Sequence, residues 1–158
     1  MKEYPRYNKI LFCTDFSENA DYAFDFAYGI AKRDDGLLYI LHVIPENPYQ
    51  AYTESLIYRE DIQKIDKGIE EYLDDTYTER YVKKIEDGVR FELITKSGRE
   101  DNEILKFAKE KEADIIVMGT HGRTGIDHVF FGSVAEKVLQ HSPYPVFIIP
   151  CKKKREWL

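Results

Sequence analysis

Ile115-Ile116-Val117-Met118-Gly119-Thr120-His121-Gly122, followed after nine residues by Gly132-Ser133, is the stretch on which the reading of this chain turns. A short apolar run rich in β-branched residues and closed by glycine reads as a buried parallel strand. A helical pattern resumes at Val134, so Gly132-Ser133 stands at a helix start. The first turn of a helix carries unpaired N–H groups and the positive end of the dipole. Glycines at the strand end remove Cβ atoms that would hold a ligand away from the backbone. Strand, glycine-rich loop and helix N-terminus together suit a phosphate-bearing ligand.

Upstream of this stretch the pattern alternates. Ile10 to Cys13 is a short apolar strand with Asp15 just past its end, and Ser17 is a good N-cap with Glu18 in the first turn. Ala20, Ala23, Phe24, Ala27 and Ala31 keep helical spacing, and their small size lets the helix lie close to a sheet. Asp34-Asp35-Gly36 ends it. Leu37 to Ile44 is a second apolar strand stopped by Pro45, and Glu46 to about Thr53 reads as a tyrosine-containing loop. A long helical pattern runs from Glu54 toward Glu86, with Tyr58, Ile62, Ile65, Ile69, Tyr72 and Leu73 on one face; Gly68 interrupts it and the register shifts at Val82 and Ile85, which allows a bend or break. Gly88 closes it. Val89 to Thr95 alternates Val89, Phe91 and Leu93 with Arg90 and Glu92, as suits a half-exposed edge strand. Ser97-Gly98 turns the chain, and Ile104, Leu105 and Ala108 mark another helix before the strand at 114–118. A helix over 133–140 follows, then Ser142-Pro143-Tyr144-Pro145 and a last strand at Val146-Phe147-Ile148-Ile149.

Strands alternating with helices predict an α/β fold with a parallel sheet covered on both faces. Right-handed crossovers restrict it to doubly wound forms, in which ligands sit outside the carboxyl ends of the strands where the strand order reverses. If the first and fourth strands are neighbours there, Asp15 and Gly119 face one crevice. A single domain over 1–151 and a basic tail over 152–158 are expected from the 158 residues. The net charge of −6 argues against a general nucleic-acid binder. No apolar run approaches the ~18 residues of a membrane span, and Met1 to Pro5 carries no signal core. Cys13 and Cys151 lie far apart and make no metal spacing with the histidines, which predicts free thiols in the cytoplasm.

Taken together, Thr14-Asp15-Phe16-Ser17, Leu41-His42-Val43, and Ala113 to Gly125 resemble the universal stress proteins of the UspA type, over about Tyr7 to Pro150. The motif G-x-x-G, nine residues, G-S or G-T, found in ATP-binding members, is matched by Gly119, Gly122, Gly132 and Ser133. The resemblance implies a five-stranded, Rossmann-like, adenine nucleotide alpha hydrolase-like sheet of order 3-2-1-4-5. It also implies ATP as ligand, with Mg²⁺ or Mn²⁺, and a homodimer through Val146–Ile149. Asp15, with Thr14 beside it, would meet the ribose or adenine; Val43 would meet adenine; Met118 and Gly119 would line the ribose. Gly122, Gly132, Ser133 and Val134 would cradle the phosphates. Arg123 offers a charge-assisted bond to a phosphate.

Plainer readings stand beside these. Asp15 suits a turn before the helix, and Val43 is at least a strand residue. Ser133-Val134-Ala135-Glu136 forms a capping box on paper, with Glu136 reaching back to the Ser133 N–H. Arg123 and the run Lys152 to Arg155 suit solvation, and His121 and His128 need no catalytic role. No G-x-x-x-x-G-K-[ST] or G-x-G-x-x-G is present. Three functions follow: an ATP-dependent switch in which loop 123–131 orders over the triphosphate, a slow ATPase or nucleotidyl or phosphoryl transferase, and a structural dimer with no ligand.

Overall fold

The computed structural model describes residues 3–46, 62–121 and 131–151. Gly122, Arg123, His128, most of loop 123–131, the segment 54–61 with Tyr58, and the tail 152–158 lie outside the described residues, as do the side chains of 62–66.

The elements are β1 (Lys9–Cys13), α1 (Glu18–Asp34), β2 (Leu37–Ile44), α2 (Ile62–Arg80), a 3-10 turn (Val82–Lys84), β3 (Phe91–Ser97), α3 (Glu100–Lys111), β4 (Ile115–Gly119), α4 (Ser133–His141) and β5 (Val146–Ile149). The five strands form one sheet in the order β3-β2-β1-β4-β5, all neighbours parallel. The expected order is found, and so is the juxtaposition it was needed for. Phe12 of β1 pairs with Val117 of β4, so their carboxyl ends emerge side by side.

The alternation of side chains along each central strand divides the core. Ile10, Phe12, Leu38, Ile40, Ile115 and Val117 face one layer with Ala20, Ala23, Phe24, Ala27 and Ala31 of α1. Leu11, Cys13, Tyr39, Leu41, Val43, Ile116 and Met118 face the other, with Ile104 and Phe107 of α3 and Ala135 and Val138 of α4. A strand buried on both faces has no polar side to show, which is why β1, β2 and β4 read as continuous apolar runs. Burial pushes the Cys13 thiol far above its ordinary range, so it is an inert core residue.

Ser17 caps α1 as its sequence predicts, its Oγ accepting from the Ala20 N–H at 3.2 Å. Asp35 ends the helix in the left-handed region at φ 53°. Gly36 must then be glycine, because a Cβ there would lie 2.5 Å from both Ile10 Cδ1 and the Tyr7 carbonyl oxygen. Two expectations are corrected. The long helix runs on through Gly68, which sits exposed inside α2, and breaks at Tyr81, where the shifted register of Val82 and Ile85 allows a break. Tyr77 and Tyr81 are both buried beside Phe16, and the chain leaves helical geometry as Tyr81 is drawn into that core. Strand β3 runs Phe91–Ser97, two residues later than expected, and Leu93 is exposed while Ile94 packs against the second layer. As an edge strand with one partner, β3 is held less strictly to alternate burial.

Asp34 ties the chain before β1 to the end of α1. It accepts the Tyr7 N–H at 3.0 Å and two bonds from Arg33. The Arg33 guanidinium first, then the Tyr7 N–H, lowers its carboxyl from 3.8 to about 2. A depressed folded value means stabilisation that is full above the ordinary value and lost as pH falls through the folded one. The stability advantage of the wild type over Asp34→Asn, read by urea denaturation, should therefore be complete above pH 3.8 and vanish towards about 2.

Candidate functional site: the crevice between β1 and β4

At the carboxyl end of β1 the chain makes a tight turn. The Asp15 carboxylate accepts the Ser17 N–H at 3.0 Å, so the turn reading of Asp15 is realised. Asp15 remains half-buried at the rim of the crevice. Phe16 then adopts φ 61°, a left-handed conformation rare outside glycine. It is held by packing against His42, at 4.4 Å between ring centroids, and Tyr77, at 5.1 Å, and by its own N–H donating to Thr14 Oγ1 at 2.9 Å. Such a conformation costs on the order of 1–2 kcal/mol and is kept only where the surroundings determine it. Here it fixes the direction in which Asp15 leaves the strand.

Thr14 is buried and its hydroxyl turns inward, 2.5 Å from the Tyr81 hydroxyl. Tyr81 in turn donates to Asp21 at 3.0 Å, and Asp21 accepts from Arg80 at 2.5 Å. What Thr14 leaves to the crevice side is backbone, and its carbonyl oxygen lies 2.9 Å from His42 Nδ1. Val43 and Met118 are buried with their side chains in the second core layer.

Helix α4 follows its N-cap Gly132, which has φ −69° and ψ 160° and, as a glycine, no side chain with which to cap. The capping box expected from Ser133 and Glu136 is therefore corrected: Ser133 is the first helical residue and not the cap. Its position one residue late leaves its exposed hydroxyl at the helix mouth. Val134, the second, is half-buried. The Gly132 N–H is engaged, donating to the Thr120 carbonyl at 2.5 Å. Gly132 accordingly does not offer its amide to a ligand, whereas the expectation had counted it among the donors. Its backbone angles are open to any residue, so conformation alone does not call for glycine there.

Gly119 departs from expectation in another way. A Cβ on it would lie 2.8 Å from Cγ and Oδ1 of Asn19, so a protein neighbour in the first turn of α1 accounts for that glycine. Sequence reasoning missed Asn19. Its signal was a polar residue beside Ala20 and one turn before Ala23, on the apolar face of the helix. Glu100, at the start of α3, was missed as well. Its carboxyl is raised above the ordinary range by burial first, then by the charges of Asp15 and Asp101, with Lys137 of α4 opposing. Among the described residues, no three His, Cys, Asp or Glu side chains converge as metal ligands, and no helix is long and apolar enough to cross a membrane.

Parallel strands and the reversal of order between β1 and β4 define a doubly wound α/β fold whose switch point lies at the ends of these two strands. The profile of the universal stress protein family matches residues 6–150, and the chain belongs to that family. It is 33% identical to universal stress protein MJ0531 of Methanocaldococcus jannaschii over 159 residues, covering 94% of this chain and 85% of the relative. Universal stress protein MJ0577 of the same organism is also 33% identical, over 92% of this chain and 96% of its own length. The solved structure of MJ0577 superposes with a TM-score of 0.72 over 94% of this chain and 99% of that one, at 28% identity. The fold is shared with a universal stress protein from Archaeoglobus fulgidus solved in complex with dAMP, at 22% identity and a TM-score of 0.60, over 92% and 99% of the two chains.

Proposed function

We propose that this universal stress protein binds an adenine nucleotide, ATP foremost, between the end of β1 and the start of α4, and that binding works as a conformational switch in a stress response. The adjacency of β1 and β4 carries the reading, because it sets the turn that holds Asp15 beside the strand end that leads on to α4. In this reading Asp15 accepts hydrogens of the ribose or adenine, and the backbone of Thr14, Val43, Met118 and Gly119 lines the nucleoside. Amides of the first turn of α4 and the Ser133 hydroxyl take the phosphates, with Val134 in the same turn. Gly122 and Arg123 complete that side from the loop. Gly132 serves by its small size. Mg²⁺ or Mn²⁺ arrives on the triphosphate. That the same fold carries dAMP in the Archaeoglobus fulgidus protein supports an adenine ligand for the architecture.

A ligand moves a conformational equilibrium only by binding one state better, so ordering of loop 123–131 over the triphosphate is the step we assign to the switch. The test is chemical extraction of the purified protein followed by nucleotide analysis, with calorimetric titration of ATP. An adenine nucleotide in the extract, or saturable ATP binding, is expected; the absence of both would overturn the reading. Steady ADP release with Mg²⁺ or Mn²⁺ at a useful rate would replace the switch by an ATPase.

Both cysteines are free thiols, in keeping with the cytoplasmic location we assign. We also assign a homodimer through β5. Among the described residues this strand pairs with β4 alone, and it leaves Phe147 40% exposed. Light scattering at micromolar concentration should give twice the chain mass, and Phe147→Glu should give the monomer. A monomeric wild type would end this assignment.

A further inference from the structure

We propose that Asn19 is the positioning residue for the phosphate end of the cleft; the inference rests on the nucleotide reading above. Asn19 is 8% exposed and lies in the first turn of α1. Its side-chain amide reaches the carboxyl ends of two strands at once. Oδ1 accepts the His121 N–H at 2.9 Å and the Thr120 hydroxyl at 3.3 Å, and Nδ2 donates to the Ile149 carbonyl at 3.3 Å. These partners fix the orientation of the amide. Turned over, it would set NH₂ against an N–H and oxygen against a carbonyl.

The same amide occupies the space a Cβ on Gly119 would need, at 2.8 Å from its Cγ and Oδ1 and 3.1 Å from its Nδ2. Helix α1 therefore approaches the end of β4 closely enough to hold it by hydrogen bonds. Thr120 relays that hold: its hydroxyl is on Asn19 and its carbonyl accepts the Gly132 N–H at 2.5 Å. One connected path runs from Asn19 through Thr120 to the residue that opens α4. The hydrogen bonds of Asn19 lead to α4, and it meets the nucleoside wall by packing against Gly119, a contact that truncation at Asn19 loosens and does not strain. Its influence falls on where the phosphate-binding turn sits.

The expected signature is a split between two ligands. In calorimetric and competition titrations, Asn19→Ala should weaken ATP by about 10-fold or more while adenosine changes by less than about 2-fold. Asn19→Asp should also weaken ATP selectively, because its carboxylate offers no donor to the Ile149 carbonyl and brings negative charge to the phosphate side. Asn19→Ser, which keeps an acceptor, takes the place of Asn19→Ala if that variant does not fold. Unchanged ATP affinity in the folded variants, or equal loss of ATP and adenosine, would overturn the assignment of Asn19 while leaving the nucleotide reading intact. A wild-type chain that binds neither ligand would overturn both.

Discussion

Gly132→Val is expected to weaken ATP binding by about 100-fold while leaving the domain folded. The two effects separate because of where this residue stands. At φ −69° and ψ 160° valine meets no backbone penalty, and the N–H that donates to Thr120 is retained. What changes is the space in front of the first turn of α4. A branched side chain there stands between the turn amides and an arriving phosphate. Hydrogen bonds to charged groups contribute about 1.5–3 kcal/mol each. Losing one or two of them gives roughly 3 kcal/mol, or about 100-fold in affinity. Calorimetric titration reads the affinity, and urea denaturation reads the fold, whose stability should fall by no more than about 1 kcal/mol, the cost of valine at a helix N-cap. A folded variant with wild-type affinity would mean that the ligand sits elsewhere.

The largest effect on stability is expected at Tyr81. Its ring is fully buried, with centroids 5.4 Å from Phe12, 4.8 Å from Phe24 and 6.2 Å from Phe16. Tyr81→Ala removes a large aromatic side chain from a core that cannot fully close, at about 3–5 kcal/mol. Native domains hold only about 5–15 kcal/mol, so this variant should be marginal or unfolded. Tyr81→Phe separates the hydroxyl from the ring. The hydroxyl links Thr14 to Asp21, and burial keeps the phenol neutral by pushing its ionisation far upward. Removing it leaves the Thr14 hydroxyl without its buried partner and Asp21 with one bond fewer, for about 1–3 kcal/mol. Urea denaturation with an unchanged slope measures both. A Tyr81→Phe variant as stable as the wild type would show that the network adds nothing net. Because Thr14 also receives the Phe16 N–H, the same variant tests whether this network steadies the turn that carries Asp15.

Much of the architecture was legible because burial on both faces of a parallel sheet writes itself into sequence. Leu37 to Ile44 reads as a strand and is one to the residue, and the alanine spacing of α1 gives its buried face correctly. Legibility fell where one face meets solvent or where long-range packing overrides local pattern. β3 slid by two residues, and α2 ended at Tyr81 because its ring belongs to the core and not because the chain lacks helix formers. The cap of α4 was misread for a related reason. Ser-x-x-Glu fits a capping box locally, but the bond from the Gly132 N–H to Thr120 sets the helix start one residue earlier.

Local chemistry along the chain was enough for the alternation of elements and the two-sided core, since each depends on residues near one another in sequence. Only tertiary structure decided that β1 and β4 are neighbours, that Thr14 turns inward to Tyr81, and that Gly119 is matched to Asn19. Those facts concern pairs of residues 67 and about 100 positions apart. No local pattern encodes such pairs, because the space between two side chains is set by how whole elements pack, not by the residues flanking either one.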